Sequence, residues 1–457
     1  MKADLHLRLA ARAAADDHDL RENLERATGL SLEKRKKLTE EIPNYESQRK
    51  QLGKIRRESV THLEPLLEEA VMRLEAAGIR CHMAEGAEEA RQIVRDLCSE
   101  AKLVVKGKSM VSEEIGLNAA LEEAGVEVME TDLGEFIVQL RDEAPSHITA
   151  PALHLNRRQI GRLFEKELGI PYSEDPETLT AAARAHLREK FMQADVGITG
   201  ANFVVAETGT AIIVENEGNI SLSSTVPPMH IMITGIEKIL PRTLDLDLAL
   251  RLLPVNGTGQ RATSYVSMIT APAPTGSGPQ RVHVVFLDNG RRKLAARPDA
   301  IALACIRCGA CLNVCPLFRR VGGHGYGSVY PGPIGILTTP FLLDKADGHE
   351  PEGSMSDACS LCEACAEICP VVIPLPDLIR EARGEKAAKG SWLERRLWRS
   401  FGRLTVHPRL FRMMGWLGRK TPGAFLRGAT PAWSQGRSLP RQGGSSFRSL
   451  LAERRRP

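Results

Sequence analysis

Two cysteine runs of the same spacing lie in the last third of the chain and limit its fold more than any other feature. The runs read Cys305-Ile-Arg-Cys308-Gly-Ala-Cys311-Leu-Asn-Val-Cys315-Pro316 and Cys359-Ser-Leu-Cys362-Glu-Ala-Cys365-Ala-Glu-Ile-Cys369-Pro370. Three thiolates on successive tight turns can converge on one cube of iron and sulfide, while the fourth, a helical turn further on, points towards a second cube. Each run then ends at a proline, which cannot continue the turn.

The pattern C-x2-C-x2-C-x3-C-P is that of bacterial two-cluster ferredoxins, in which the fourth cysteine of each run binds the cluster of the other run. We therefore predict two [4Fe-4S] clusters. The predicted ligands are Cys305, Cys308, Cys311 and Cys369 for cluster 1 and Cys359, Cys362, Cys365 and Cys315 for cluster 2.

Two other uses of cysteine fit this pattern less well. A structural zinc ion needs four thiolates in all, whereas the two runs supply eight. Disulfides are disfavoured because the cysteines stand three apart in a chain without a secretory signal. The remaining Cys81 and Cys98 have no motif around them, and we expect them to be buried, unreactive core thiols.

The length and composition are those of an ordinary globular protein. A chain of 457 residues, 42% hydrophobic and 26% charged, corresponds to about two to four domains. Met1 to Ala27 mixes acidic and basic residues without an apolar segment, and no apolar run approaches the length of a membrane span. We therefore expect a cytoplasmic protein that is peripheral, at the inner face, if it meets a membrane.

The C-terminal region is strongly basic. Residues 391–457 carry fifteen Lys and Arg against two Glu, a formal charge of +13, which leaves −9 for residues 1–390 of the net +4. All four tryptophans lie here, with amphipathic helices predicted over 391–404 and 410–417. We expect this tail to dock on an acidic partner or an anionic membrane, with a solvated, partly disordered tail as the open alternative. No DNA-reading fold accompanies it, so nucleic acid is not an expected partner.

The order of predicted elements divides the chain into four parts. These are a helical extension (1–55), an α/β domain (56–290), an α-helical ferredoxin domain (291–384) and the basic tail (385–457), because strands alternating with helices indicate a largely parallel sheet. The predicted helices are 20–28, 32–41, 63–77, 87–100, 113–124, 153–167 and 178–193, and the predicted strands are 79–83, 103–106, 126–130, 195–199, 203–207, 210–215, 229–234 and 282–287.

A glycine-rich insert of 43 residues separates the two cysteine runs. The glycines and prolines of 322–335 predict irregular backbone close to a cluster. His324 and Tyr326 could donate hydrogen bonds to cluster sulfurs, and a plain loop role is equally open. The flanking segments 298–304 and 376–383 favour helix, as in a mainly helical ferredoxin module.

The α/β domain offers weaker signals. Lys106, Lys108 and Ser109 follow a predicted strand and precede a helix, where a phosphate or carboxylate can bind; a solvated turn is the alternative. Glu207 could be a nucleophile in a transferase-like domain. The polar residues Asn202, Glu215 and Asn216 fit a hairpin equally well. No dinucleotide fingerprint is present, and we assign no catalytic residue.

Several segments before the cysteine runs resemble the lactate utilisation protein B family, the iron-sulfur subunits of a bacterial L-lactate oxidising system. The resemblance covers nearly the whole chain and includes the insert and the closing segment 433–448. The segments that carry the resemblance are Lys106 to Ile115, Glu130 to Gln139, Pro145 to Ile148, Gly197 to Phe203, Ala206 to Thr210 and Val214 to Asn219.

That resemblance implies a lactate-utilisation domain similar in fold to CoA transferases and sugar-phosphate isomerases, followed by a ferredoxin domain like that of succinate dehydrogenase iron-sulfur subunits. It implies electron relay during oxidation of L-lactate to pyruvate, beside two partner subunits. A subunit serving another 2-hydroxy acid, such as glycolate, remains open. So does a CoA-transferase-like enzyme or ligand sensor with structural clusters.

Overall fold

The computed structural model describes residues 12–14, 16–342, 354–389, 391–420 and 447–454. The contacts divide the chain into two units, Met1–Arg383 and Gly384–Pro457. Leu343, at the end of the insert, and Trp433 lie outside the described residues. No helix in the described ranges is long and apolar enough to span a membrane.

The helices and strands are numbered in chain order. The helices are α1 (His18–Glu41), α2 (Tyr45–Thr61), α3 (Leu63–Ala76), α4 (Ala87–Leu97), α5 (Met110–Glu114), α6 (Leu117–Glu123), α7 (Leu133–Leu140), α8 (Arg157–Leu168), α9 (Pro176–Gln193), α10 (Asn219–Thr225), α11 (Asp245–Gly257), α12 (Arg291–Ala295), α13 (Ala310–Val314), α14 (Phe318–Val321), α15 (Gly332–Leu342), α16 (Ser354–Ala358), α17 (Ala364–Ile368), α18 (Leu375–Lys389), α19 (Trp392–Val406), α20 (Pro408–Lys420) and α21 (Phe447–Arg454), with 3-10 turns at Ile236–Lys238, Ala300–Ala304 and His324–Tyr326. The strands are β1 (Arg80–Ala84), β2 (Leu103–Lys106), β3 (Glu127–Glu130), β4 (Val196–Gly200), β5 (Phe203–Val205), β6 (Thr210–Glu215), β7 (Met229–Gly235), β8 (Ile239–Leu240), β9 (Tyr265–Ile269) and β10 (Arg281–Leu287).

A six-stranded parallel sheet forms the centre of the first unit, in the order β1-β10-β7-β4-β2-β3. Strands β7 and β10 are almost continuously apolar and buried, because helices cover both faces of the sheet. Ile231 and Ile233 pack into the core on one face, and Met232 packs on the other. The sheet therefore confirms the predicted α/β class with a parallel sheet.

A second, smaller sheet has the order β8-β5-β6-β9. Strand β5 pairs antiparallel with β6 and parallel with β8, and β6 pairs antiparallel with β9. Strand β5 follows β4 after only two residues, so the two sheets diverge at the carboxyl end of β4. Polar residues of this junction line the cavity described below.

Most predicted elements are found close to their expected bounds, and a few differ. The predicted helix 113–124 is two helices, α5 and α6, because Gly116 between them has a left-handed φ of 61°. The predicted helices 20–28 and 32–41 are one continuous helix, α1. Within residues 16–290, helices α2, α7, α10 and α11 and strands β8 and β9 have no counterpart among the predicted elements.

The prediction of irregular backbone over 322–335 holds for 322–331, apart from the 3-10 turn at His324–Tyr326, and is wrong for 332–335. Helix α15 begins at Gly332, and Pro333 occupies its first turn, where a missing N–H breaks no helical hydrogen bond. A Cβ added at Gly335 would lie 1.6 Å from the carbonyl oxygen of Tyr330. The glycines therefore serve close backbone packing within a helical segment.

The two cysteines outside the runs lie in the α/β domain. Cys98 is fully buried, as predicted, whereas Cys81 is half-buried on the edge strand β1. Burial raises the pKa of each thiol to about 12, with a further contribution from Glu75 at Cys81. Both are therefore held as unreactive thiols.

A buried ion network joins the α/β domain to the insert. Arg291 of α12 donates to Glu114 at 2.8 and 2.9 Å and to Glu237 at 2.6 Å, and all three side chains are at most 2% exposed. The Tyr330 hydroxyl of the insert donates to Glu114 at 2.8 Å. Burial by itself would raise the pKa of Glu237, but Arg291 and other cations lower it to about 2.

We expect Arg291→Met to destabilise the protein by about 3–5 kcal/mol, because it leaves two carboxylates buried without their cation. The matched control is Arg292→Met, which removes only an exposed pair with Glu64 and should cost about 1 kcal/mol or less. Anaerobic thermal unfolding followed by circular dichroism would compare them. Equal losses in the two variants would contradict the assignment of the network as a buried, interdependent unit.

Candidate iron-sulfur site

The two cysteine runs adopt the same local backbone. Two residues after the first cysteine of each run, Arg307 and Leu361 have left-handed φ values of 57° and 53°. Two residues later, Gly309 and Glu363 have φ values of 78° and 67°. These left-handed residues make the successive tight turns that the spacing predicted.

Each pair of turns leads into a short helix that carries the third cysteine. Helix α13 begins after Gly309 and α17 begins after Glu363, and the two helices pack against each other. The fourth cysteine of each run is the last capping residue, with extended backbone (ψ 119°). The fourth cysteine of each run therefore lies beyond the turns and the short helix that carry the other three.

The thiols form two groups, each drawn from both runs. A small apolar cavity is lined by Cys305, Cys308, Cys311 and Cys369, together with Ile148, Ile334 and neighbouring backbone. Burial raises the pKa of Cys365, and the nearby thiols of Cys359, Cys315 and Cys362 raise it further. Cys369 of the second run therefore lines one cavity with the first three cysteines of the first run.

The burial of these thiols fits a cationic metal group. Burial raises the pKa of Cys365 to about 12 and that of Cys369 to about 11, and it raises the pKa of Cys308 and Cys311 further. A thiolate in such surroundings requires a positive partner, and binding to iron supplies one. Eight thiols in two groups of four match the ligand count of two cubane clusters.

Backbone amides already point at the sulfurs. The N–H of Arg307 donates to Cys305 Sγ at 3.3 Å, and the N–H of Leu361 donates to Cys359 Sγ at 3.4 Å. The N–H of Ile373 makes the same contact with Cys369 Sγ at 3.4 Å. Such donors stabilise negative charge on cysteine sulfur and are one of the means by which a protein sets cluster potential.

The two insert residues singled out in the sequence have different surroundings. The Tyr326 hydroxyl lies 3.8 Å from Cys315 Sγ. His324 instead donates its Nε2–H to the carbonyl oxygen of Ala144 at 2.6 Å. The structure therefore brings Tyr326 to the cysteines and ties His324 to a loop of the α/β domain.

The N-terminal helices hold the second cysteine run by its carbonyl groups. Arg49 of α2 donates to the carbonyl oxygens of Ala366 and Cys369, both at 3.1 Å. Arg35 of α1 donates to that of Ile368 at 3.2 Å. Helix α2 approaches so closely that a Cβ on Gly53 would lie 2.6 Å from the oxygen of Val371. The helical extension is therefore packed directly against the second run.

A larger cavity of about 410 Å³ lies in the α/β domain, at the carboxyl ends of β2 and β4. Its wall includes Arg307 and Ile306, which also line the small cysteine cavity, and Lys238, which follows β7. The predicted residues Lys108, Ser109, Asn202, Glu215 and Asn216 are also part of the wall.

The lysines at the end of β2 and just after it are neither a solvated turn nor free for an anion. Lys106 is fully buried and contacts Glu130 at 2.7 Å, Glu113 at 3.0 Å and the Ser112 hydroxyl at 2.9 Å. Lys108 contacts Glu135 at 2.7 Å. Both lysines are thus neutralised by carboxylates that the sequence pattern did not associate with them.

The other polar candidates serve the local fold. Glu207 is exposed, accepts from the N–H of Thr243 at 2.8 Å, and does not line the cavity. Glu215 accepts from the N–H groups of Ile220 and Ser221 at the start of α10. The Oδ1 atoms of Asn202 and Asn216 accept from the N–H groups of Val214 and Ser264.

Sequence reasoning missed Lys238 and the side chain of Arg307. Lys238 follows a buried strand without any motif, and Arg307 was noticed only as a spacer between two cysteines. Both are buried beside the larger cavity. They become candidate ligand-binding residues only because the fold brings them together from distant parts of the chain.

Three family models match the chain in succession. The LUD domain matches residues 67–287, the 4Fe-4S dicluster domain matches residues 301–373, and the C-terminal region of lactate utilisation protein B matches residues 378–456. The chain is thus an iron-sulfur protein in which a LUD domain precedes a 4Fe-4S dicluster domain.

Curated relatives match over most of their length. Lactate utilization protein B of Shouchella clausii is 41% identical over 435 residues, which cover 91% of this chain and 90% of that protein. Lactate utilization protein B of Oceanobacillus iheyensis is 39% identical, with 96% and 94% covered. The uncharacterized electron transport protein YkgF of Escherichia coli is 40% identical, with 91% and 90% covered. This chain belongs to the lactate utilisation protein B family.

A crystal structure of a DUF162 family protein from Deinococcus radiodurans matches 49% of this chain and 98% of that chain. The sequence identity is 14% and the TM-score is 0.29.

Proposed function

We propose that this chain is the iron-sulfur electron-transfer subunit of a system that oxidises L-lactate to pyruvate and so allows growth on lactate. The observation that carries the proposal is a cavity lined by thiols of both cysteine runs, Cys305, Cys308, Cys311 and Cys369, in a chain of the lactate utilisation protein B family. We propose that two further subunits complete the system, with lactate oxidised among them.

The proposed ligands are those expected from the spacing. Cys305, Cys308, Cys311 and Cys369 would hold cluster 1, and Cys359, Cys362, Cys365 and Cys315 would hold cluster 2. A [4Fe-4S] cluster supplies one-electron redox chemistry, and oxidation of lactate to pyruvate releases two electrons and two protons. Two such groups in one domain allow the electron pair to leave one electron at a time.

The finer domain limits, with breaks near residues 55, 290 and 384, stay predictions, as does the similarity of the α/β domain to CoA transferases. A transferase role finds no support in Glu207, since that carboxylate is exposed and lies outside the larger cavity. Another 2-hydroxy acid, such as glycolate, is the alternative substrate of the system.

We expect lactate to reduce the clusters only when the partner subunits are present. The anaerobically purified chain would be mixed with lactate alone, with the partners alone, and with both, and cluster reduction would be followed by electron paramagnetic resonance. Glycolate would serve as the competing donor. Clusters that keep their oxidation state throughout turnover would refute the electron-relay role. Faster cluster reduction by glycolate than by lactate would make glycolate the substrate of the system.

We expect Cys369→Ser to damage the same cluster as Cys308→Ser, because both thiols line one cavity. Iron and sulfide analysis should fall from about eight of each per chain in the unaltered protein, and the same resonance signal should be lost or altered in both variants. Cys81→Ser, outside both runs, is the control and should keep both signals. If Cys369→Ser instead resembles Cys362→Ser, the crossed arrangement is wrong.

The tail has the chemistry of a surface that binds anionic lipid. In the second unit, α19 and α20 leave large apolar side chains uncovered, including Trp398 at 62% and Phe411 at 53% exposure. Arginines alternate with these side chains along both helices. An amphipathic helix with basic residues beside its apolar face suits the headgroup boundary of a membrane. We propose peripheral contact with an anionic membrane through this tail.

Since all four tryptophans lie in the tail, their fluorescence reports on it alone. We expect a blue shift with vesicles that contain phosphatidylglycerol, reduced by high salt and weaker with phosphatidylcholine alone. Replacing Trp398 and Phe411 with Ala should weaken binding. A spectrum that stays unchanged with anionic vesicles, but shifts with a purified partner subunit, would assign the tail to protein docking instead.

A further inference from the structure

The larger cavity lies where an open parallel sheet binds small molecules. Chain order reverses between β2 and β4, because β3 lies beyond β2 on one side and β7 beyond β4 on the other. Ligands of such sheets bind at the carboxyl ends of the strands at this switch point. Ser109 follows β2 and Ala201 follows β4, and both line the cavity. Its volume of about 410 Å³ is that of a small-molecule site.

Two buried cations face this cavity without full partners. Lys238 is 6% exposed, and across the described ranges no hydrogen bond or ion pair reaches its ammonium group. Burial lowers the pKa of Lys238 to about 7, although Glu237 opposes that shift. Such a lysine is costly to keep unless an anion accompanies it for part of the time.

Arg307 is the second cation. Its side chain is 9% exposed and lies over the ring of Tyr330, 4.2 Å from the centroid. The Nη1 atom is buried without a hydrogen-bond partner, and the nearest carboxylate oxygen, on Glu237, is 3.9 Å from Nη2. The guanidinium therefore has donor capacity left for a ligand.

The rest of the wall favours a carboxylate over a phosphate. Glu215 already occupies the N–H groups of Ile220 and Ser221 at the start of α10, where a phosphate would otherwise bind. Burial and the neighbouring Asp132 raise the pKa of Glu217 to about 7, so this part of the wall already disfavours negative charge, and disfavours a dianion more than a monoanion. Lys108 is neutralised by Glu135. Two available cations and a partly acidic wall suit a small molecule with one negative charge.

We propose that this cavity binds a small organic monocarboxylate, whose carboxylate group is held by Lys238 and Arg307. The choice of probe molecules rests on the proposed function, whereas the site itself rests on these two cations and the cavity.

The position of the site links it to the first cysteine run. The backbone N–H of Arg307 donates to Cys305 Sγ, while its side chain lines the larger cavity. Ile148, Ile306 and Arg307 are shared by the walls of both cavities. Only the side chains shared by the two walls would separate a carboxylate bound to Arg307 from the cavity lined by Cys305, Cys308, Cys311 and Cys369. Ligand binding would therefore take place beside the proposed cluster 1.

Isothermal titration of the anaerobically purified, full-length protein tests the site. The probes are L-lactate, pyruvate, glycolate, inorganic phosphate and the uncharged analogue lactamide. We expect saturable binding of at least one carboxylate and none of lactamide. Lys238→Met should weaken that binding by about tenfold or more, the loss of a charge-assisted contact. The exposed Lys102→Met, at the opposite end of β2, should leave it unchanged.

Lys238→Met should keep the fold and its iron, because it removes an unpaired buried charge; its thermal midpoint without ligand should be equal to or above that of the unaltered protein. Binding of phosphate but no carboxylate, or equal affinity in Lys238→Met, would overturn the proposal. If lactate reduces the clusters through the partners while this chain binds no carboxylate, the site is wrong and the relay stands. If a carboxylate binds but neither lactate nor glycolate reduces the clusters, the carboxylate site stands and the electron-relay role is wrong.

Discussion

One guanidinium group connects helix α2, the segment that follows β7 and the segment just before the first cysteine run. Arg56 of α2 is completely buried and donates to four carbonyl oxygens, those of Glu237 and Ile239 in the α/β domain and those of Leu303 and Ala304 just before the first cysteine. Because burial of this cation is costly, its pKa falls to about 10, and the carbonyl contacts must repay the lost hydration. The cysteine runs therefore depend for their position on a helix at the other end of the sequence.

This arrangement brings the α/β domain and the first cysteine run together at the cavity. The carboxyl edge of the parallel sheet opens towards the first cysteine run, and Arg307 belongs to both. The Arg291 network fixes the same edge from the other side by tying Glu114 to Tyr330 of the insert. The contacts thus hold one small-molecule cavity against one set of thiols.

The sequence predicted the fold well where a pattern repeats over short distances. Apolar runs bounded by glycine predicted strands such as β2 and β10, and the cysteine spacing predicted the turns that Arg307 and Leu361 adopt. It failed for residues 332–335 at the end of the glycine-rich segment, because counting glycine and proline ignores where each residue stands in a helix. Pro333 lies in the first turn of α15, where it is tolerated.

Local sequence determined the parallel α/β class, the family, and the two repeated turns that turn the cysteines inward, since these follow from the chemistry of adjacent residues. Only the tertiary structure decided which charges are neutralised. Lys106 looked available for a ligand but is enclosed by Glu113 and Glu130, whereas Lys238 carried no signal and stands unpaired within the described residues at a cavity. The physical reason is that the charge balance of a buried group is set by neighbours in space, which lie far apart in the chain.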